Sequence, residues 1–212
     1  MNQETIALQS VSVGQPSLLG LYRGKPITSG IRKTRVDAPE VAVSTTNIAG
    51  DRQADLRVHG GPDKAIFCYP SENVAYWRET LGYEGDGVHA AVGENLTLAG
   101  ISEEEARIGD VWRWGSVTLQ ISQPRWPCFK LEMHAGHTEL VTEFLATGRC
   151  GWYVRVLEAG TAPTSGEITI VTRDPLGITV REAFAARRDR ASDPESFERV
   201  RAHPHLAAAW SQ

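Results

Sequence analysis

The first two-thirds of this 212-residue chain contain short apolar runs, each interrupted by Gly, Pro, Asn or Asp within a few residues. Such spacing favours strands over helices, because turn residues recur too often for a long helical pattern to develop. Strands are predicted at 11–13 with 17–22, around 65–69, and at 95–99, 110–114, 116–122, 152–157 and 167–173. With helices predicted at 71–81 and 138–147, the pattern indicates a mainly β protein, a β-barrel with a few helices.

The C-terminal part has a different, helical pattern. Residues 179–182, Thr-Val-Arg-Glu, have the form of a capping box, and Asp193 precedes a proline as a helix N-cap often does. Pro204 is predicted to open a third helix. Each helix is shorter than about 12 residues, so it must dock on its neighbours to be stable. We therefore expect a β-barrel domain at 10–172 followed by a small three-helix extension at 175–212.

Bulk properties narrow the class of protein. The net charge of -4 argues against strong nucleic-acid binding, because no basic excess is present to displace counterions from phosphates. Three cysteines without a C-x-x-C pair favour a reducing compartment. The first ten residues lack a signal-peptide pattern, and no apolar run is long enough to cross a membrane. We expect a cytoplasmic protein.

Cys128 lies in the most distinctive loop of the chain. Pro124 and Pro127 restrict the backbone on both sides of Arg125, so we expect a rigid loop that follows a strand. A thiol beside a cation ionises more readily than one in a core, and a thiolate is a nucleophile or a ligand for soft metals. The competing interpretation is a buried, inert cysteine, which is the commoner fate of a single Cys. The sequence predicts that interpretation for Cys68 and Cys150.

Two glycine-containing turns are also candidates. His59-Gly-Gly-Pro-Asp-Lys64 has two glycines that permit a tight turn or a close approach to a ligand, followed by a cation. A plain type II turn explains the same residues equally well. Gly93-Glu-Asn95 could present a carboxylate and an amide to a ligand, or could be a turn fixed by Asn95.

Together these segments resemble a known family. They are residues 51–65, which contain His-Gly-Gly-Pro-Asp; Val-Gly-Glu-Asn-Leu at 92–96 with Gly-Asp at 109–110; and Ser-Gln-Pro-Arg-Trp-Pro-Cys-Phe-Lys-Leu at 122–131. Their order and spacing are similar to those of MOSC-domain proteins, and the chain is identified as a member of the YiiM-like branch. The three-helix extension fits that branch.

The resemblance implies a MOSC β-barrel that binds the molybdenum cofactor (molybdopterin-Mo), with Cys128 as the catalytic residue and the protein ligand of molybdenum. A soft thiolate suits a metal that dithiolene sulfurs also hold. Exposed amides, a histidine and cations suit the pterin and the phosphate. The implied cofactor-binding residues are Arg57, His59, Gly60, Gly61, Lys64, Gly93, Glu94, Asn95, Ser122 and Arg125.

The resemblance further implies an oxidoreductase that reduces, and so detoxifies, small N-hydroxylated compounds such as hydroxylaminopurine base analogues. No flavin, haem or iron–sulfur motif is present, so a separate reductase protein is expected to supply electrons. Basic residues that could bind an acidic surface of that reductase are Arg181, Arg187, Arg188 and Arg190. His203 and His205 are expected to face solvent. Pyridoxal phosphate is not expected, and the sequence leaves the assembly open, a homodimer included.

Two other functions stay open at this stage. One is a carrier of sulfur or of the molybdenum cofactor that uses Cys128 for transfer. The other is a metal-free thiol hydrolase in which His59 activates Cys128.

Overall fold

The computed structural model describes residues 4–55, 59–83, 85 and 90–210, and these residues form a mainly β structure with a closed seven-stranded barrel and five α-helices. The strands are β1 Thr5–Val13, β2 Ser17–Tyr22, β3 Lys25–Ser29, β4 Thr34–Arg35, β5 Glu40–Val43, β6 Ile66–Pro70, β7 Leu96–Ala99, β8 Val111–Trp114, β9 Val117–Pro124, β10 Trp152–Glu158, β11 Gly160–Pro163 and β12 Gly166–Thr172. The helices are α1 Ser71–Leu81, α2 Phe129–Ala135, α3 Glu139–Thr147, α4 Val180–Arg188 and α5 Pro194–Arg201. The β-barrel prediction is confirmed.

The barrel strands follow the order β12-β8-β9-β10-β6-β7-β1, and pairing of β1 with β12 closes the ring. Neighbours are antiparallel except β6 and β7, which run parallel and are connected through α1. Closure leaves the ring without a free edge. The strand pairs β2–β3 and β5–β11 lie outside the ring.

Strand β9 is the element that carries the chain to the candidate loop. It is buried along its whole length, whereas alternation had predicted one buried face, with Val117, Leu119 and Ile121. The intervening polar residues are buried too, and Gln120 accepts a hydrogen bond from Arg155 (2.9 Å) and donates one to the Gly109 carbonyl (3.3 Å). A strand covered on both faces holds the residues at its end rigidly.

Helix predictions succeeded where local signals were strong. Helix α1 has the predicted bounds, and α3 ends at Gly148, which is left-handed at φ 66° as expected of a C-cap. The capping box at the start of α4 is formed, since Thr179 accepts from the Glu182 amide and the Glu182 carboxylate accepts from the Thr179 amide. Asp193 caps α5.

The predicted third helix at Pro204 is wrong. The chain forms successive turns there, with the Leu206 amide bonded to the His203 carbonyl and the Trp210 amide to the Ala207 carbonyl. The Ala207 amide donates to the Ser122 carbonyl of β9 instead of continuing a helix. This bond to β9 takes the place of the hydrogen bond that the Ala207 amide would make within a helix.

The prediction that His203 faces solvent is also wrong. Its side chain is buried, and its Nε2 lies 3.1 Å from Asp174 Oδ1. Because the His205 amide donates to His203 Nδ1 (3.2 Å), the proton of a neutral ring is on Nε2 and is donated to Asp174. His203 therefore anchors the C-terminal turns to the segment after β12.

No helix among the described residues has the length and apolar character needed to cross a membrane.

Candidate functional site

A pocket opens where the loops after β3, β9 and the 59–64 segment meet. The pocket is open to solvent, and the space within it and at its mouth amounts to about 720 Å³. Its walls are Ser29, Gly30, Ile31, Lys33, Arg52, Gln53, Ala54, His59, Gly60, Lys64, Phe67, Val92, Gly93, Asn95, Arg125, Trp126, Cys128, Lys130 and Tyr153. We call this space the Cys128 pocket.

The end of β9 positions Cys128. The strand continues two residues beyond the predicted end, to Pro124, which pairs with Trp152 of β10, and the Arg125 amide donates to the Gly151 carbonyl (3.1 Å). Cys128 is extended (φ -140°, ψ 164°) and is the N-cap residue of α2, a helix that the sequence did not predict. The loop therefore spans only a few residues between a paired strand and a helix.

Cys128 is the accessible thiol of the three. It is partly exposed, whereas Cys68 and Cys150 are fully buried. Burial raises the pKa of the Cys68 thiol and that of the Cys150 thiol, so both stay protonated. Their predicted structural role agrees with this placement.

Arg125 is a buried cation at the pocket wall. Its side chain lies against two aromatic rings, with the guanidinium carbon 5.2 Å from the Phe67 centroid and 5.7 Å from the Phe144 centroid. Arg125 is only 5% exposed, and its Nη1 atom has no hydrogen-bond partner in the described structure. An unsatisfied buried donor is costly. A cationic residue in a pocket wall favours an anionic or carbonyl-bearing ligand.

The pocket as a whole is cationic. Its lining contains the basic residues Lys33, Arg52, Lys64, Arg125 and Lys130 and no carboxylate among the described residues. Asp51, just behind the wall, forms an ion pair with Lys33. The remaining positive charges face a space with low-dielectric walls, which favours binding of an anion.

His59 is neutral in this environment. Burial, and then the positive charges of Lys130, Arg125 and Lys64, lower the pKa of His59 to about 4. The ring therefore offers one donor and one acceptor to a ligand at neutral pH.

Lys64 lines the pocket, and the charge of Arg187 on helix α4 acts on it. Burial and the nearby Arg187 guanidinium lower the pKa of Lys64, while Asp63 opposes the shift. Two contacts at Asp63 hold the 59–64 segment in place. The Ser122 hydroxyl donates to the Asp63 carbonyl, and Arg155 forms an ion pair with the Asp63 carboxylate (2.8 Å). Ser122 thus supports the loop and does not line the pocket.

The 93–95 turn forms another wall. Gly93 has φ +86°, and a Cβ there would lie 2.4 Å from Ile31 Cγ1, so glycine is required by both conformation and space. The Glu94 carboxylate is buried and accepts from the Ala91 and Val92 amides, so it shapes the turn and does not reach the pocket. Asn95 does line the pocket and accepts from the Phe67 amide (3.1 Å).

The structure therefore brings together most of the predicted site residues. Those that line the pocket are His59, Gly60, Lys64, Gly93, Asn95, Arg125 and Cys128, whereas Gly61, Glu94 and Ser122 do not. The prediction for Arg57 lies outside the described residues. Sequence reasoning missed Lys33, Arg52, Lys130 and Tyr153. Arg52 and Lys130 lie in the motif segments 51–65 and 122–131, whereas Lys33 and Tyr153 carried no local signal.

The chain belongs to the MOSC domain family, whose model matches residues 55–174. It is a YiiM-like member. The crystal structure of YiiM from Geobacillus stearothermophilus superposes with a TM-score of 0.76 at 31% identity, covering 95% of this chain and 93% of that one. YflK of Bacillus subtilis (strain 168) is 40% identical over 210 residues, which is 99% of this chain and 93% of YflK. A protein named "Reductase" from Gibberella moniliformis is 36% identical over 152 residues, 71% of this chain and 27% of its own.

Proposed function

We propose that this protein is a molybdenum-cofactor oxidoreductase that reduces small N-hydroxylated compounds, such as hydroxylaminopurine base analogues, and thereby detoxifies them. The observation that carries the proposal is the shared pocket of Cys128 and Arg125. An accessible thiol and a buried cation line the same space, together with further cationic side chains.

The donor set of the pocket fits the cofactor. Cys128 offers a soft sulfur ligand, which suits molybdenum. Arg125 and Lys64 offer cationic donors for the phosphate, and the Asn95 side chain and the neutral His59 ring offer hydrogen bonds for the pterin edge. The absence of lining carboxylates among the described residues removes a source of repulsion toward an anionic group.

The cofactor and the protein have different roles in the proposed reaction. When bound, the molybdenum cofactor supplies the two-electron chemistry that breaks the N–O bond of an N-hydroxyl group. Two electrons and two protons convert that group to an amine and water. The protein holds the reactants, and His59, neutral in the absence of an anionic ligand, is placed to accept or donate a hydrogen bond at its ring nitrogens.

Electrons must come from outside the chain. The sequence contains no flavin, haem or iron–sulfur motif, so we propose that a separate reductase protein supplies them. The fungal relative named "Reductase" is consistent with a role for such domains in reduction, and the region similar to this chain is 27% of it.

The test is expression in a host that makes the molybdenum cofactor, followed by elemental analysis, pterin fluorescence and an assay with a hydroxylaminopurine and a chemical reductant. The proposal expects bound molybdenum, bound pterin and conversion of hydroxylamine to amine. Cys128→Ala should abolish reduction while leaving the fold intact, because Cys128 is partly exposed.

Two results would contradict the proposal. Purification without molybdenum from such a host would remove the cofactor assignment. Bound cofactor without reduction, together with transfer to an apoenzyme that depends on Cys128, would favour the carrier function instead.

A further inference from the structure

A second cleft lies beside the Cys128 pocket. Its walls are Trp126, Leu145, Arg187, Arg188 and Arg190. Trp126 lines both spaces, so the two are adjacent at this residue. We call this second space the arginine cleft.

The arginine cleft is lined by the loop after β9, by α3 and by the end of α4 with the residues that follow it, and contacts with the C-terminal turns hold Arg187. Arg187 lies over Trp126 (5.4 Å to the centroid) and over Trp210 (4.7 Å), and its Nη1 donates to the Trp210 carbonyl (3.1 Å). Trp126 packs at 5.0 Å from Phe184. These contacts fix the indole while leaving 37% of the residue exposed, so one part of a large aromatic surface stays available to a ligand.

The charged residues that line the cleft are all arginines, and their positive charges are only partly compensated. Arg188 pairs with Asp189 and donates to the Leu145 and Ala146 carbonyls. Arg190 is exposed and makes no hydrogen bond or ion pair within the described ranges. Its positive charge acts on Arg187, whose pKa burial and Arg190 lower, and Arg187 acts in turn on Lys64. Because Arg187, Arg188 and Arg190 line one cleft, their like charges favour an anionic ligand between them.

We propose that the arginine cleft binds the 5′-phosphate of a nucleotide whose base stacks on Trp126, so that the preferred substrates are N-hydroxylated nucleotides and not free bases. This inference rests on the proposed function. An aromatic surface next to arginines is suited to a planar base followed by a phosphate. The Cys128 pocket has its own cations, Arg52, Lys64, Arg125 and Lys130, for the cofactor.

The binding test uses adenosine 5′-monophosphate, adenosine and inorganic phosphate, measured by isothermal titration calorimetry on the purified full-length protein. The nucleotide should bind at least about tenfold more tightly than the nucleoside, because a charge-assisted hydrogen bond contributes this much. Arg190→Gln should remove most of that difference. Arg78→Gln is the matched control, since Arg78 is an exposed arginine on α1 that lines neither space.

The kinetic test compares N-hydroxylated adenine, its nucleoside and its 5′-monophosphate with a chemical reductant. The wild type should show its lowest KM for the monophosphate, and Arg190→Gln should raise that KM about tenfold while leaving the KM of the free base unchanged. Trp126→Leu should raise the KM of all substrates that place a base on the indole.

The outcomes separate this inference from the function on which it rests. Reduction of the free base with no advantage for the monophosphate would overturn the nucleotide inference alone. Arg190-dependent nucleotide binding without any reduction would contradict the function alone. If Arg190→Gln slows turnover only with a protein reductase, or lowers only molybdenum retention, the cleft serves that partner or the cofactor and the nucleotide inference is wrong.

Discussion

At the residue scale, Arg125 shows how binding and stability oppose each other. It is a cation that is 5% exposed, and no carboxylate in the described structure forms an ion pair with it. Replacing a buried charge by an apolar side chain of similar size is often neutral or stabilising. Arg125→Met should therefore leave the unfolding free energy of the cofactor-free protein unchanged or higher, while molybdenum content falls.

Urea unfolding and elemental analysis check this prediction. Arg78→Met is the control for loss of an exposed arginine. A large loss of stability with unchanged molybdenum content would mean that Arg125 has a purely structural role.

His59 gives the protein a defined pH dependence. Its folded-state pKa of about 4 lies below the ordinary value of 6.5. The unfolded chain therefore binds more protons between these values, so the stability contributed by neutral His59 is present above pH 6.5 and is lost as pH falls towards 4. His59→Gln should flatten this part of the pH profile, measured by urea unfolding at pH 7 and pH 5. Equal losses in wild type and variant would contradict the assigned environment.

At the element scale, the 93–95 turn is predicted to be intolerant of a side chain. Gly93 and Gly100 have nearly the same φ, +86° and +82°, but a Cβ at Gly100 would meet nothing within 4 Å. Gly100→Ala should cost about 1 kcal/mol for the left-handed conformation alone. Gly93→Ala adds a clash with Ile31 and should cost about 2 kcal/mol more. Thermal unfolding of the pair tests this, and equal shifts would mean that the loop adapts without strain.

Elements with strong local signals were predictable from the sequence. The bounds of α1 and the capping box of α4 were found because each depends on residues within a few positions. The elements that were missed are β3, β4, β5, β11 and α2, and β1 was predicted only at 11–13. Proline at 26 and the loop at 124–128 suppress the local signals for β3 and α2. The turns after Pro204 were misread because a hydrogen bond to β9 decides their conformation.

Among the residues of the candidate site, too, some were predictable from the sequence and others were not. Cys128 and Lys64 lie in distinctive local motifs, so the sequence could single them out. Lys33 and Tyr153 reach the pocket only through the closure of the barrel and the packing of its loops. No local pattern marks a residue whose position depends on distant contacts.

At the scale of the whole molecule, the C-terminal segment is part of the barrel's packing. Phe184, Val200 and Trp210 are buried in the same core as the strands, and the Ala207 amide bonds to β9. Truncation after Thr172 would expose this surface and should reduce solubility.

A milder test is Trp210→Ala. Trp210 is 1% exposed and packs on Trp126 at 5.8 Å. Loss of a buried tryptophan should lower the unfolding free energy by about 3 kcal/mol. Chemical denaturation measures this, and a change of under about 0.5 kcal/mol, typical of a surface position, would show that the tail contributes little to the fold.

The central claim is that Cys128 binds molybdenum in the pocket that Arg125 and Lys64 line. X-ray absorption at the molybdenum edge tests this most directly, on wild type and on Cys128→Ser purified from a host that makes the cofactor. The account predicts one fewer sulfur neighbour of molybdenum in the variant, with the pterin still bound. The same number of sulfur neighbours in both proteins would contradict it.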